Sequence, residues 1–432
     1  MPFLEWRGNS LRVRWETGLT NPKTGKPVYE SKSSTQWDED EALKYGLDRE
    51  SDLRNGRLVA KASGQLTFRE WSETWASSLD LDPTTIDHYR TLLRAQLLPA
   101  WGDAMMSGIS TVAYQRWATG IKAKYSANYT KSLLTLFRVI MEDASTHQPP
   151  LIPRSPVPKA SRKRGRYVRP VREEKMEMPT ADLHRLAENA FHVWGFTGYV
   201  FMLTKAYTGM RIGEMYGLRR EFVGPSWPES DPDKGRRERA LKRYCGQKPM
   251  PVIRVQWQHK WMKDPASPEE PRVATLAPPK YGSERTLVIP PFLAALLEQL
   301  LASHGSEWVF PALGGGPLLT TDFYKAYWHP VRDGHPERTG QHERPKILPV
   351  AAFQGKRIHL IRHAHSPHLE EDGVPEVAIE TRLGHILQGV RGVYADVTPA
   401  MERKIVRVLQ ARWERQQRLS PIALPLRPPP VT

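Results

Sequence analysis

The chain has 432 residues, room for two to four domains of about 100–200 residues each. Its 39% hydrophobic and 25% charged residues exclude a disordered chain. The net charge of +16 favours an anionic partner, nucleic acid first, without separating DNA from RNA or a membrane surface. A single cysteine, Cys245, excludes an intrachain disulfide and an all-cysteine zinc site. It suits a reducing compartment. The start, MPFLEWRGNS, has no apolar stretch behind its charges, so no signal peptide is expected. No apolar run approaches the roughly 20 residues that span a membrane.

Residues 1–60 read as a small sheet-plus-helix domain. In SLRVRWETG, Leu11, Val13 and Trp15 alternate with Arg12, Arg14 and Glu16, as in a half-buried strand. NPKTGKP is turn chemistry, and VYESKSSTQW a second strand. DEDEALKYGLDRESDLRNG reads as a helix with acids in its first turn and Gly56 behind it. With Arg12 and Arg14 on the sheet, the unit either lies in a DNA groove or caps the molecule.

Residues 65–150 read as all-helical. Phe68, Trp71 and Trp75 stand at helical spacing, as do Ile86, Tyr89, Leu92 and Leu93 after Pro83 and Thr84. SANYTKSLLTLFRVIMEDAS is a third strong helix. These aromatics are core residues on composition alone. Residues 151–179 form a proline-rich, then basic, linker with Lys159, Arg162, Lys163, Arg164, Arg166 and Arg169. Such a run is often merely solvated. Between two candidate DNA-facing domains it is expected to track a phosphate backbone.

The third unit, 180–419, is expected to be mixed. Helices open it, strands follow in PVIRVQWQ and RTLVIPP, and helices return from PFLAALLEQLLASHG. Two polar, proline-bearing stretches, 224–250 and 330–357, read as loop-like insertions. The tail, 420–432, is expected to be disordered. The chain is thus expected to be mainly α with small β-sheets, an α+β fold.

Several polar residues stand out in this unit. Arg211, in AYTGMRIGEMYGL, sits in an apolar helix start, costly for a cation unless it is paired or binds an anion. A salt bridge to Glu214 at i,i+3 is the plain alternative. PPKYGSERTLVIPP reads as a β-hairpin with Lys280 at or near its turn. A turn lysine is usually unremarkable, but in a phosphate site it would be a mobile proton donor. In RIHLIRHAHSPHLEE, His359 and Arg362 share a helix face. His359 and His363 have the spacing of a zinc helix, but no Glu follows His359 and no third ligand is evident, so no metal is expected. Pro367 is expected to disturb the helix after Arg362. RLGHILQGVRGVYADVT carries His385 and, nine residues later, Tyr394.

Singly these signals are weak; their order is specific. TGMRIGE, KYGSERT, HLIRH, LGH and a tyrosine nine residues past its histidine resemble the tyrosine recombinases, the phage-integrase family. The resemblance covers residues 180–400 well. One departure is that HLIRH carries its leucine a position early against the family's H-x-L-R-H. The 65–150 unit is similar to the family's core-site-binding domain, and 1–60 to its arm-site-binding domain.

The resemblance implies a site-specific DNA recombinase that cuts and rejoins strands through a 3′-phosphotyrosyl link. Tyr394 would be the nucleophile, Arg211 and Arg362 the phosphate clamps, His359 and His385 hydrogen-bond or proton-transfer partners, and Lys280 the donor to the leaving 5′-oxygen. Glu214 would orient Arg211, and His363 and His365 would pack or support. No cofactor is implied, consistent with the lack of a P-loop motif. Partners implied are double-stranded DNA attachment sites, a homotetramer on DNA, and a DNA-bending host factor and directionality factor, with action in the bacterial cytoplasm. The apolar stripe Met401, Ile405, Val408 and Leu409 is expected to dock on a neighbouring protomer. Alternatives are an inactive DNA-binding regulator on the same fold, a chromosome-dimer resolvase or a type IB topoisomerase. The N-terminal unit argues against the resolvase. RNA binding ranks low, because no aromatic stacking motif is evident.

Overall fold

The computed structural model describes residues 1–21, 24–55, 66–148, 150–158, 178–262, 271–318, 320–340, 343, 345–385 and 396–421. The basic stretch from Lys159 to Arg169, Gly56 and Tyr394 lie outside them. The chain divides into two compact units, residues 1–169 and 170–432.

The first unit holds two separate apolar cores. One belongs to an antiparallel sheet in the order β1 (Phe3–Arg7), β2 (Ser10–Thr20), β3 (Pro27–Ser34). Strict alternation in β2 buries Leu11, Val13 and Trp15 beneath helix α1 (Glu39–Arg54). The sequence reading found β2, β3 and α1 but not β1. Asp38 and Glu41 form a reciprocal cap that starts α1. A Cβ at Gly46 would stand 2.7 Å from atoms of Pro2 and Val13, so only glycine lets α1 lie this close to the sheet.

The second core is helical, with α2 (Phe68–Ser77), α3 (Pro83–Leu92), a wider turn at Leu93–Leu97 leading into α4 (Leu98–Trp101), α5 (Thr111–Lys124) and α6 (Ala127–Thr146). Phe68, Trp71 and Trp75 are buried as expected. The two indoles also spend their N–H groups, Trp71 on the Ile140 carbonyl at 3.1 Å and Trp75 on Asp143 at 2.6 Å. Helix α5 was not anticipated.

The second unit is built around one large core and the long helix α7 (Thr180–Thr208), broken at Trp194–Gly195. It continues with α8 (Ile212–Tyr216), α9 (Lys234–Tyr244), two small β ribbons, α10 (Pro291–Ala302), α11 (Thr320–Phe323), α12 (His329–Asp333), α13 (Leu360–Glu371), α14 (Glu376–Leu383) and α15 (Pro399–Leu419). The mainly helical α+β expectation holds.

Four local expectations change. The 224–250 stretch contains α9, eleven residues capped by Asp233, rather than loop alone. Strands β4 (Val252–Val255) and β7 (Arg285–Val288) pair with each other, and β5 (Gln258–Met262) pairs with β6 (Val273–Ala277). Lys280 therefore lies in a tight turn, Lys280–Gly282, with Tyr281 left-handed at φ 63°, that passes from one ribbon to the other, and not at a hairpin tip. Helix α13 runs through Pro367 to Glu371. Proline removes only one N–H from the ladder, and Ile361, Ala364, His365, His368 and Leu369 hold that face in the core. Finally, Ile405 and Leu409 are buried in their own unit, with Met401 and Val408 packed beside them. The stripe of α15 is thus spent inside its own domain.

Candidate active site

Arg211 stands one residue before α8, at its N-cap, rather than inside a helix start. It follows Gly209, which ends α7 in the left-handed region at φ 67°. That turn aims the Arg211 side chain back across the unit. Its Nη1 donates to Glu214 Oε1 at 2.9 Å and Ser283 Oγ at 3.2 Å, and its Nη2 to the Gly384 carbonyl at 3.1 Å. The backbone N–H of Arg211 donates to the other Glu214 oxygen at 2.7 Å. The i,i+3 salt bridge is real, but it is part of a larger arrangement.

Arg362, on α13, is buried and mirrors this. Its Nη1 donates to the Gly209 carbonyl at 2.7 Å, and its Nη2 to the Leu383 carbonyl and to His385 Nε2 at 3.1 Å. Guanidinium only donates, so His385 accepts at Nε2 and carries its proton on Nδ1. Nδ1 in turn donates to Glu380 at 2.6 Å. Among the described residues, Nε of Arg211 and Nε of Arg362 have no partner.

Glu214 is 0% exposed and is gripped by Arg285 through both guanidinium nitrogens, at 3.0 and 2.9 Å. Burial alone would raise its carboxyl pKa; Arg285 and then Arg211 outweigh this and hold it at about 2. Arg285 also donates to the Arg382 carbonyl at 2.6 Å. Arg382, fully enclosed, donates to His365 at 3.0 Å and to the carbonyls of Val288 and Tyr207, both at 2.8 Å. Burial and repulsion from Arg211 bring Arg362 down to about 10, and burial brings Arg382 to about 9.

His359 lies at the rim, before α13, with its ring 4.9 Å from that of His363. Desolvation in the cleft, then Lys205, His363 and the two arginines, lower it to about 4. His363 is lowered for similar reasons, desolvation first and Arg362 second. His365 is buried, bonds the Ala206 carbonyl at 2.9 Å, and stays neutral.

Arg211, His359, Arg362, His363, Glu380 and His385 line one cleft of about 520 Å³. The structure brings these together. It does not bring in Lys280, which is exposed with its ammonium 4.9 Å from the Tyr281 ring. Ser283, three residues on, is the nearby link, through Arg211. Tyr394 lies between described His385 and Asp396 but is itself outside the described residues. Its C-terminal flank is fastened: Arg243 of α9 donates to the Val397 carbonyl at 2.6 Å and to Glu402 at 2.9 Å, and the Tyr244 hydroxyl donates to Glu402 at 3.1 Å. Among the described residues no group of three or more His, Cys, Asp or Glu could hold a metal ion, and no helix is long and apolar enough to cross a membrane.

In the first unit, Arg12 donates to Ser31 Oγ at 3.0 and 2.8 Å, and Arg14 lies over Phe3 and Tyr29 at 5.2 and 5.7 Å. Both are on the sheet face away from α1.

Sequence reasoning missed Arg285, Arg382 and Lys205. Signals existed. Arg285 shares a strand face with buried Leu287, and Lys205 is a lone cation in the apolar run YVFMLTKAYTGM.

No family model matches the chain. A protein of Mycobacterium tuberculosis, provisionally named prophage phiRv2 integrase, is 24% identical over 422 residues, 94% of each chain. The Tn1549 transposon integrase, solved in complex with a circular intermediate DNA, covers 80% of this chain and 98% of its own at 14% identity, with a TM-score of 0.52. A second complex of that integrase covers 81% and 98% at 15% identity, with a TM-score of 0.51. The fold is that of the tyrosine recombinases. The likeness is one of fold to that transposon integrase, and of sequence, at 24% identity over nearly the whole length, to the mycobacterial relative.

Proposed function

We propose that this protein is a site-specific DNA recombinase that integrates or excises a mobile element through a covalent phosphotyrosyl link. One observation carries the reading: Arg211 and Arg362 open onto one cleft with three histidines, while Glu214, the fully buried carboxylate beside them among the described residues, is already taken by Arg285. Glu380 and Glu370, which also line the cleft, bond His385 and Ser366, and the two guanidiniums can take a further anion. A scissile phosphodiester supplies it.

The two Nε–H groups that have no partner among the described residues would donate to the non-bridging oxygens, more strongly as charge builds there. Tyr394 attacks phosphorus as phenolate, and the 3′-phosphotyrosyl bond forms as the 5′-oxygen leaves. Lys280 protonates that oxygen after its turn moves inward. His359 stays neutral at working pH and donates a hydrogen bond. His385 gives up its bond with Arg362 and accepts the Tyr394 proton on the Nε2 so freed, and Glu380 keeps its Nδ1 proton in place. A 5′-hydroxyl from a second strand then reverses the step. Arg12, Arg14 and the basic stretch from Lys159 to Arg169 contact DNA outside the cleft, and four protomers assemble on paired attachment sites. A host DNA-bending protein and a directionality factor complete the assembly.

The test is covalent capture. Purified protein is mixed with nicked duplexes spanning the source element's ends, beside Tyr394→Phe and a gel-shift control. A denaturation-resistant adduct with wild type and none with the variant is expected. Binding without an adduct on any fragment would favour the inactive-regulator reading, and an adduct that survives Tyr394→Phe would sink the nucleophile assignment.

A further inference from the structure

Lys205 belongs to none of the motifs above, yet it sits at their centre. It lies on the last turn of α7 with 0% exposure. Its neighbours Thr204, Ala206, Tyr207 and Thr208 are buried too. A leucine or methionine would fill such a place without the cost of desolvating an ammonium. Its ammonium donates to the carbonyl of Met210, the residue before Arg211. Gly209, one residue earlier, gives its carbonyl to Arg362. The turn Thr208–Gly209–Met210 is therefore held on one side by Lys205 and on the other by Arg362, and it aims Arg211.

The charges around Lys205 do not balance. Arg211 and Glu214 face it from α8, and His359, Arg362 and His363 from α13 and its start. Glu214 is the one carboxylate among these, and Arg285 holds it bidentately. Burial first, and Arg362 next, bring Lys205 down to about 7, against the smaller pull of Glu214.

We propose that Lys205 is a positioning residue of the phosphate site: it locks the turn that aims Arg211, and it takes up a proton from solvent when an anionic phosphodiester enters the cleft. This rests on the recombinase reading. Below about pH 7 the side chain is charged and the turn is locked before DNA arrives. Above it the ammonium loses its proton, and the turn keeps a weaker bond to Met210. His359 and Glu214 are held at about 4 and about 2, Arg362 at about 10, and His363 is lowered from the ordinary histidine value, away from the pH at which Lys205 loses its proton. They do not imitate the effect.

The experiment follows covalent capture on the fragment that yields an adduct, with limiting DNA, from about pH 6 to about pH 9. Wild-type capture should fall as pH rises past about 7. Lys205→Met should capture about tenfold to a hundredfold more slowly at low pH, with duplex affinity retained and the inflection gone. Lys205→Arg should recover much of the rate and stay flat with pH, because guanidinium does not titrate there. A Lys205→Met profile that keeps the wild-type inflection overturns the proposal. Should neither variant fold, titration of Tyr394→Phe with the same duplex at about pH 8, in two buffers of different ionisation enthalpy, reads the proton directly. Uptake supports the assignment, and its absence overturns it. A wild-type chain that forms no adduct on any fragment defeats the recombinase reading itself, whereas an adduct with identical pH profiles defeats only the role of Lys205.

Discussion

The N-terminal sheet and the catalytic cluster both present arginines, but they hold them in opposite ways. Arg12 and Arg14 lie on an open sheet face, steadied by one hydroxyl and two aromatic rings. Arg362, Arg285 and Arg382 are enclosed, and their donors are spent mostly on backbone carbonyls and on Glu214. The half-buried pair, if it meets DNA as proposed, would act through charge that salt screens, without fixed geometry. The enclosed set is already oriented before DNA arrives, at a desolvation cost that its hydrogen bonds offset. The same residue type thus stands open in one unit and locked in the other, separated by burial.

This contrast can be broken at its strongest point first. Glu214→Gln should destabilise the protein by about 3–5 kcal/mol, because it strips the enclosed Arg285 of its counter-charge; thermal or urea unfolding reads this. The wild-type carboxyl is depressed to about 2, so its contribution is full above about pH 4.5 and fades as pH falls toward about 2. The variant should lose that part of the acid dependence. Arg362→Ala should lower capture about 10²–10³-fold, and Arg362→Lys should not restore it, since an ammonium cannot bridge the Gly209 and Leu383 carbonyls. Gly209→Ala should cost about 1–3 kcal/mol. Its backbone is left-handed, and the added methyl would stand 2.8 Å from His365 and Leu383. At the weak end, Arg12→Ala and Arg14→Ala should leave stability within about 0.5 kcal/mol. Each should weaken duplex binding and reduce the salt slope by about one. An unchanged salt slope would favour the capping role for the sheet.

That several candidate site residues share one cleft was legible in the sequence, because an anion site restricts residue types. Arg211, His359, Arg362 and His385 converge on one cleft from segments far apart in the chain. The supporting polar core was not legible. Arg285, Arg382 and Lys205 derive their roles from carbonyls and a carboxylate elsewhere in the sequence, which no local window contains. The hairpin expected around Lys280 failed for a related reason. Turn chemistry marks where a chain reverses, not which ribbon each strand joins. Burial periodicity foretold the core of α2 and the alternation in β2, where side-chain spacing alone decides the outcome. It gave no warning that the stripe on α15 is consumed within its own domain.

The two left-handed glycines, Gly209 and Gly384, are laced crosswise. Arg362 takes the carbonyl of the first, and Arg211 that of the second. A chain emerging from the ribosome carries Arg211 long before either partner exists. Until residues 362–384 are made, the Gly209 carbonyl lacks its Arg362 donor and Arg211 lacks the Gly384 carbonyl, so a product truncated before them leaves the cleft unassembled. The two arginines thus come together on one cleft only with the last part of the second unit.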